Sequence, residues 1–208
     1  MLLGVPALYV VLGLLHPMEN PELGDDTDLF VRLHVAQLLL IMGLAFVLWL
    51  LVEDLDSRAA TVARVLIIPF VVVYTALDAI LGIAWGIAAE KANDLPVASQ
   101  EGAGRLIHEL IAGDPDPRGL ALYWGAGLLW LAVAVAVVTA LKDTAPLGAL
   151  VCLSLGAAVF ALGHAKPMGP IGMGLFLIGI AWLEFRPRPA TAEPPPAGQG
   201  VRRPGGPS

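Results

Sequence analysis

Apolar positions along the chain gather into six continuous runs. They cover residues 2–15, 30–52, 65–89, 120–141, 147–163 and 171–185. Crossing a ~30 Å hydrocarbon core takes roughly 20 apolar residues in a helix, whereas a membrane barrel needs alternating segments of about ten. The runs here are long and unbroken. They predict an all-α fold, a polytopic transmembrane helix bundle of about six spans occupying residues 1–186. The fifth and sixth runs are nearly charge-free but short, which suits helices near the minimum length or a thinned bilayer.

The first run, "LLGVPALYVVLGLL", contains Pro6. As a helix it would reach only about 21 Å. It has no basic segment before it, and "LLHPMENPE" offers no small-residue cleavage site. The run is therefore read as a short first span and not as a signal peptide.

Two polar stretches stand outside the spans. Residues 90–118, "EKANDLPVASQEGAGRLIHELIAGDPDPR", form the longest loop. Within it, Leu106, Ile107, Leu110 and Ile111 recur at four-residue spacing before "GDPDP". That pattern predicts a short interfacial helix over 105–112 on the outer face. Residues 187–208 are rich in Pro, Gly and Ala and have nothing to bury, so they are expected to be a disordered cytoplasmic tail.

Composition agrees with a lipid environment. The chain is 57% hydrophobic and 14% charged, against about a quarter charged in a typical soluble domain. The net charge of −6 argues against a nucleic-acid partner. Cys152 is the sole cysteine, which removes any intrachain disulfide, thiolate cluster or CxxC redox motif. No phosphate loop, nucleophile elbow or glycosidase-like carboxylate pair is present, so no motif marks the chain as an enzyme.

Loop charges set an expected orientation. With the amino terminus inside, the inner segments carry Arg58, Arg64, Lys142, Arg186, Arg188, Arg202 and Arg203. The outer ones carry Arg32, Lys91, Arg105, Arg118 and Lys166. The excess of inner cations predicts a cytoplasmic carboxyl terminus. Trp49 and Trp182 then fall near inner span ends, Trp85 and Trp124 near outer ones. Nine arginines against three lysines suggest a bacterial cytoplasmic membrane.

In this topology all four histidines, His16, His34, His108 and His164, lie at or near the outer face. His16 ends the first span, and His164 ends the fifth within "LGHAKPMGPIGMG". Imidazole suits zinc, copper and iron, thioether favours copper(I), and histidine can be axial to haem. His16, His34 and His164 are the candidate metal or haem ligands, with Met18 or Met168 as a soft donor and His108 as a further pocket residue. No HxxxH or HExxH spacing ties any two together. Histidines at span ends also fit a plain interfacial role.

Asp78 lies mid-span in "VVVYTALDAILGIAWG". An acid at that depth costs roughly 2.5–3.5 kcal/mol on insertion scales and normally faces a partner inside the bundle. Tyr74, Asp78, Gly82 and Trp85 share a helical face, and Gly82 with Gly86 forms a GxxxG pair that admits a neighbouring helix. Gln37, on the second span, is the expected partner of Asp78. The acid reads as a proton-handling group or as helix glue.

Three functions stay open on these residues. One is a membrane protein with an outward metal or haem site above a buried acid. Another is a proton- or cation-coupled carrier of a small solute using Asp78. The third is a non-catalytic membrane subunit or scaffold, as a homo-oligomer or within a membrane complex.

Overall fold

The computed structural model describes residues 2–17, 26–111 and 117–186, and leaves the side chains of 108, 110, 111 and 117–121 undescribed. Among the described residues the chain is helical throughout, with no strand. The helices are α1 (Gly4–Leu15), α2 (Thr27–Leu50), α3 (Arg58–Leu77), a π-helical segment (Asp78–Ala84), α4 (Trp85–Asn93), α5 (Val97–Ile111), α6 (Pro117–Leu141), α7 (Leu147–Ala161) and α8 (Met168–Phe185). The expected tail, 187–208, and Met18 lie outside the described residues.

Four helices are long and apolar enough to cross a membrane: Thr27–Leu50, the continuous Arg58–Asn93, Leu122–Leu141 and Met168–Phe185. Gly4–Leu15 and Leu147–Ala161 are apolar but shorter. Large apolar side chains such as Leu39, Val72, Leu128, Val135 and Ile178 project outward from the bundle. In water such a surface would be a liability. Against acyl chains it is the ordinary face of a membrane helix.

Local chemistry explains the helix starts. The Asp26 carboxylate accepts from the Leu29 N–H at 3.1 Å and caps α2. Ser57 Oγ does the same for Ala60 N–H at 3.1 Å and opens α3. That cap starts the third span seven residues before its apolar run, at Arg58. Pro69 consequently sits inside α3, not in its first turn as the run alone suggests. Pro6 lies in the first turn of α1, where a missing N–H breaks no helical bond.

The predicted interfacial helix is longer than its periodicity indicates. α4 carries the third span on to Asn93, and α5 runs from Val97, not from residue 105. Pro96 accepts from the Ser99 N–H at 2.7 Å and starts the helix early. Gly102 has open space around it, so nothing in its packing interrupts the helix. Gln100 Nε2 donates to the Asn93 and Leu95 carbonyls at 3.0 Å each, closing the end of α4.

The core centres on Trp130 of α6, which is 1% exposed. Its ring lies 5.4–5.5 Å from those of Phe70, Phe160 and Phe176, and its Nε1–H donates to the Ala157 carbonyl at 2.9 Å. α7 and α8 pack backbone to backbone at Gly156 and Gly172. A β-carbon at either would approach the other's carbonyl oxygen to 2.7–2.8 Å. Small residues allow this approach, and dispersion rather than water exclusion rewards it within lipid. At the far end from the histidines, Arg64 donates to the Val52, Glu53 and Leu55 carbonyls and closes the α2–α3 turn.

Candidate metal centre

Three of the four histidines converge at one end of the bundle. His16 directly follows α1 in extended backbone. His34 lies in the second turn of α2, and His164 in the turn joining α7 to α8. One ring nitrogen from each lies within 4.8 Å of the others. Ring centroids are 5.0 Å apart for His16 and His34, 5.3 Å for His16 and His164, and 5.8 Å for His34 and His164. His16 and His34 are buried at 6% and 3% exposure, and His164 is partly buried.

Glycines make this convergence sterically feasible. A β-carbon at residue 169 would fall 1.7 Å from the His164 carbonyl oxygen, so only glycine lets α8 start against that turn. Gly13 similarly admits Pro170 beside α1. Gly82 and Gly86 meet α2 at His34 and Val31, so the GxxxG face receives a neighbouring helix as its spacing predicts.

The tautomers follow from the carbonyls. His16 Nδ1 is 2.8 Å from the Pro17 oxygen, and His34 Nδ1 is 2.8 Å from the Phe30 oxygen. A carbonyl oxygen only accepts, so both Nδ1 atoms carry the proton. Both Nε2 atoms are then bare, and they face each other at 3.5 Å. Two lone pairs cannot bond to each other. Outside the helices, burial lowers His164 to about 3, with His16 and His34 adding to the effect, and burial likewise lowers His16 below its ordinary value. These rings are neutral at physiological pH, which is the form that binds metal.

Asp78 heads the π segment, with Oδ1 3.9 Å from His34 Nε2. Both its carboxylate oxygens are buried without a hydrogen-bond partner. The expected pairing with Gln37 is not made. Gln37 Nε2 donates instead to the Tyr74 hydroxyl at 3.0 Å, where α2 faces α3. The Tyr74 ring lies 6.3 Å from that of His164.

The other expected pocket residues divide. Trp85 is buried beside Phe30, ring centroids 6.3 Å apart, and is not part of an aromatic belt. Trp49, Trp124 and Trp182 are exposed as belt residues should be. Met168 opens α8 with its side chain exposed. The His108 side chain lies outside the described residues. A cavity of about 20 Å³ bordered by Tyr74, Tyr123, Trp130, Gly163 and His164 adjoins the cluster. That is room for a water.

The Nδ1 acceptors, Pro17 and Phe30, carry no sequence signal, because any residue supplies a carbonyl. The arrangement joins neutral imidazoles, each oriented through its second nitrogen, to an unpaired carboxylate. No known protein family, curated protein or solved structure matches the chain.

Proposed function

We propose that this chain is a multi-pass membrane protein that holds one transition-metal ion between His16, His34 and His164. The observation carrying the reading is the 3.5 Å approach of two buried Nε2 atoms whose protons are both committed to backbone carbonyls. Nitrogens sharing a tetrahedral zinc at about 2.0–2.1 Å lie roughly 3.3–3.4 Å apart. The pair is already near that spacing, and His164, with a ring nitrogen within 4.8 Å of both, closes the third corner with a shift of at most about 1.5 Å. Nδ1–H to carbonyl bonds are also the usual support of a metal-bound histidine.

Haem suits the site less well. Two imidazoles on one haem stand on opposite faces of a wide flat ring. Here the rings meet edge to face, with Phe30 packed against His34 at 4.2 Å. That leaves no slot for a macrocycle.

In this reading the chain crosses a bacterial cytoplasmic membrane six times, with α1 and α7 as short spans. The histidine end faces outward and the carboxyl terminus lies in the cytoplasm. The protein keeps a metal ion at the outer end of the bundle.

The test is metal analysis of detergent-purified protein, with equilibrium binding of Zn²⁺, Co²⁺ and Cu⁺ after chelator stripping. One ion per chain is expected, and substituting any of the three histidines by alanine should remove it. A stripped protein that takes up none of the three ions would sink the proposal.

A further inference from the structure

We propose that Asp78 supplies an oxygen donor to the ion, so that three imidazoles and one carboxylate bind a divalent first-row metal. This rests on the three-histidine reading above and deepens it.

The carboxylate is buried, its side chain 2% exposed, and neither oxygen receives a hydrogen bond. A buried anion without donors or a cation is strongly disfavoured. Its Oδ1 lies 3.9 Å from His34 Nε2, and that nitrogen is bare because the His34 proton is on Nδ1. With Asp78 ionised the contact is acceptor to acceptor, and 3.9 Å is too long for a hydrogen bond from a protonated carboxyl. His34 Nε2 thus stands 3.5 Å from His16 Nε2 on one side and 3.9 Å from Asp78 Oδ1 on the other, bonded to neither. Other buried polar groups do not relieve it. Tyr9 OH, Thr75 Oγ1 and Trp85 Nε1 are themselves buried without partners, and Gln37 of α2 donates to Tyr74. A helix-gluing hydrogen bond from Asp78 is thus not made.

A cation resolves all of these contacts together. In a tetrahedral site, nitrogen and oxygen donors at about 2.0–2.2 Å stand roughly 3.4 Å apart, so the 3.9 Å pair needs to close by only about half an ångström. The fold also builds this approach. The π segment begins at Asp78, and Gly82, one turn on, leaves the space that the His34 ring fills. Localised π-helical turns recur at functional sites.

The donor set points to the class of ion. Three borderline nitrogens and one hard oxygen suit Zn²⁺ or Co²⁺ better than Cu⁺, which prefers sulfur. The carboxylate also offsets part of a divalent charge in apolar surroundings. Four protein donors close the coordination sphere, which suits an ion held in place better than one that activates water.

The experiment titrates chelator-stripped, detergent-solubilised wild type, Asp78→Asn and Asp78→Glu with Co²⁺ alone, reading visible absorption and affinity. Wild type should give the intense visible bands of four-coordinate cobalt. Asp78→Asn should bind roughly tenfold or more weakly, with weaker, shifted bands, while its melting point in chelator is unchanged or higher. Asp78→Glu should keep the bands. Wild-type affinity and spectrum in Asp78→Asn would overturn the carboxylate ligand and leave the histidine site standing. Absence of Co²⁺ and Zn²⁺ binding by wild type would overturn both. A measurement on wild type alone covers a misfolded variant. With ¹³C-labelled aspartate carboxyls, the ion-induced infrared difference spectrum should contain an aspartate carboxylate band, and its absence would refute the proposal.

Discussion

Gly82 and His34 are in such close contact that a β-carbon on residue 82 would lie 2.1 Å from His34 Cδ2. The imidazole fills the space a side chain would take. Gly82→Ala should therefore push the ring off its carbonyl. We expect a stability loss of about 1–3 kcal/mol from overpacking, together with loss of metal uptake. Pairing it with His34→Ala should restore much of the stability and none of the binding. Thermal melts and metal analysis of the three variants check this.

The histidine cluster should make the metal-free protein acid-sensitive. His16 and His164 have folded pKa values below the ordinary one near 6.5, His164 at about 3. The unfolded chain then binds more protons between those limits, so stability is full above pH 6.5 and falls as pH drops through it. Each such ring contributes up to about 1.4 kcal/mol per pH unit. In chelator, melting points should decline from pH 7 to pH 5, and His164→Gln should flatten that slope.

Packing of α7 on α8 can be tested with three glycines. A β-carbon at Gly156 would lie 2.5 Å from Phe176 N, and one at Gly172 would lie 2.4 Å from Phe160 N. Backbone cannot move aside as a side chain does, so alanine at either should destabilise by about 1–3 kcal/mol. Gly174, on the same helix, has nothing within 4 Å. Alanine there should be neutral or stabilising by about 0.5–1 kcal/mol. Melting in detergent or in bicelles separates the two outcomes.

Arg64 holds three backbone carbonyls at the end of α2 and lies over the Trp49 ring at 5.9 Å. Arg64→Ala should cost about 1.5–3 kcal/mol, the range for bonds to a charged donor. Because the site is at the opposite end of the bundle, metal affinity should stay unchanged. A joint loss of stability and affinity would contradict that separation.

Much of this architecture is legible in the apolar runs, since lipid exposure demands continuous hydrophobicity and leaves few alternatives. The gathering of His16, His34 and His164 at one end was legible too, because it follows from counting spans. Their mutual approach was not. It depends on Gly13 and Gly169, small at contacts that no local pattern encodes, and on Gly82, whose GxxxG spacing announces a neighbouring helix but not His34. The depth of Gln37 in its span suits Asp78, but the hydroxyl of Tyr74, on the helix that carries Asp78, competes for it. The position of Trp85 near the outer end of its apolar run suggests a belt residue. Helix α4 extends that end to Asn93, which leaves Trp85 inside. The start of α3 depended on Ser57, a capping signal outweighed by the apolar run that follows it.

The π-helical segment also changes how the long Arg58–Asn93 helix relates to its neighbours. A regular α-helix turns about 100° per residue, so a face set near Tyr74 would continue in fixed phase to Asn93. Asp78–Ala84 inserts a wider turn and resets that phase. The half before it packs against α6 and presents Tyr74 to Gln37, and the half after it presents Trp85 and Gly86 to Phe30. Gln37 and Phe30 both belong to α2, so the helix keeps that neighbour on both sides of the dislocation, which falls at the acid, while its first half also serves α6. The length of chain between Asp78 and Ala84 is thus as much a part of the site as the identity of its side chains.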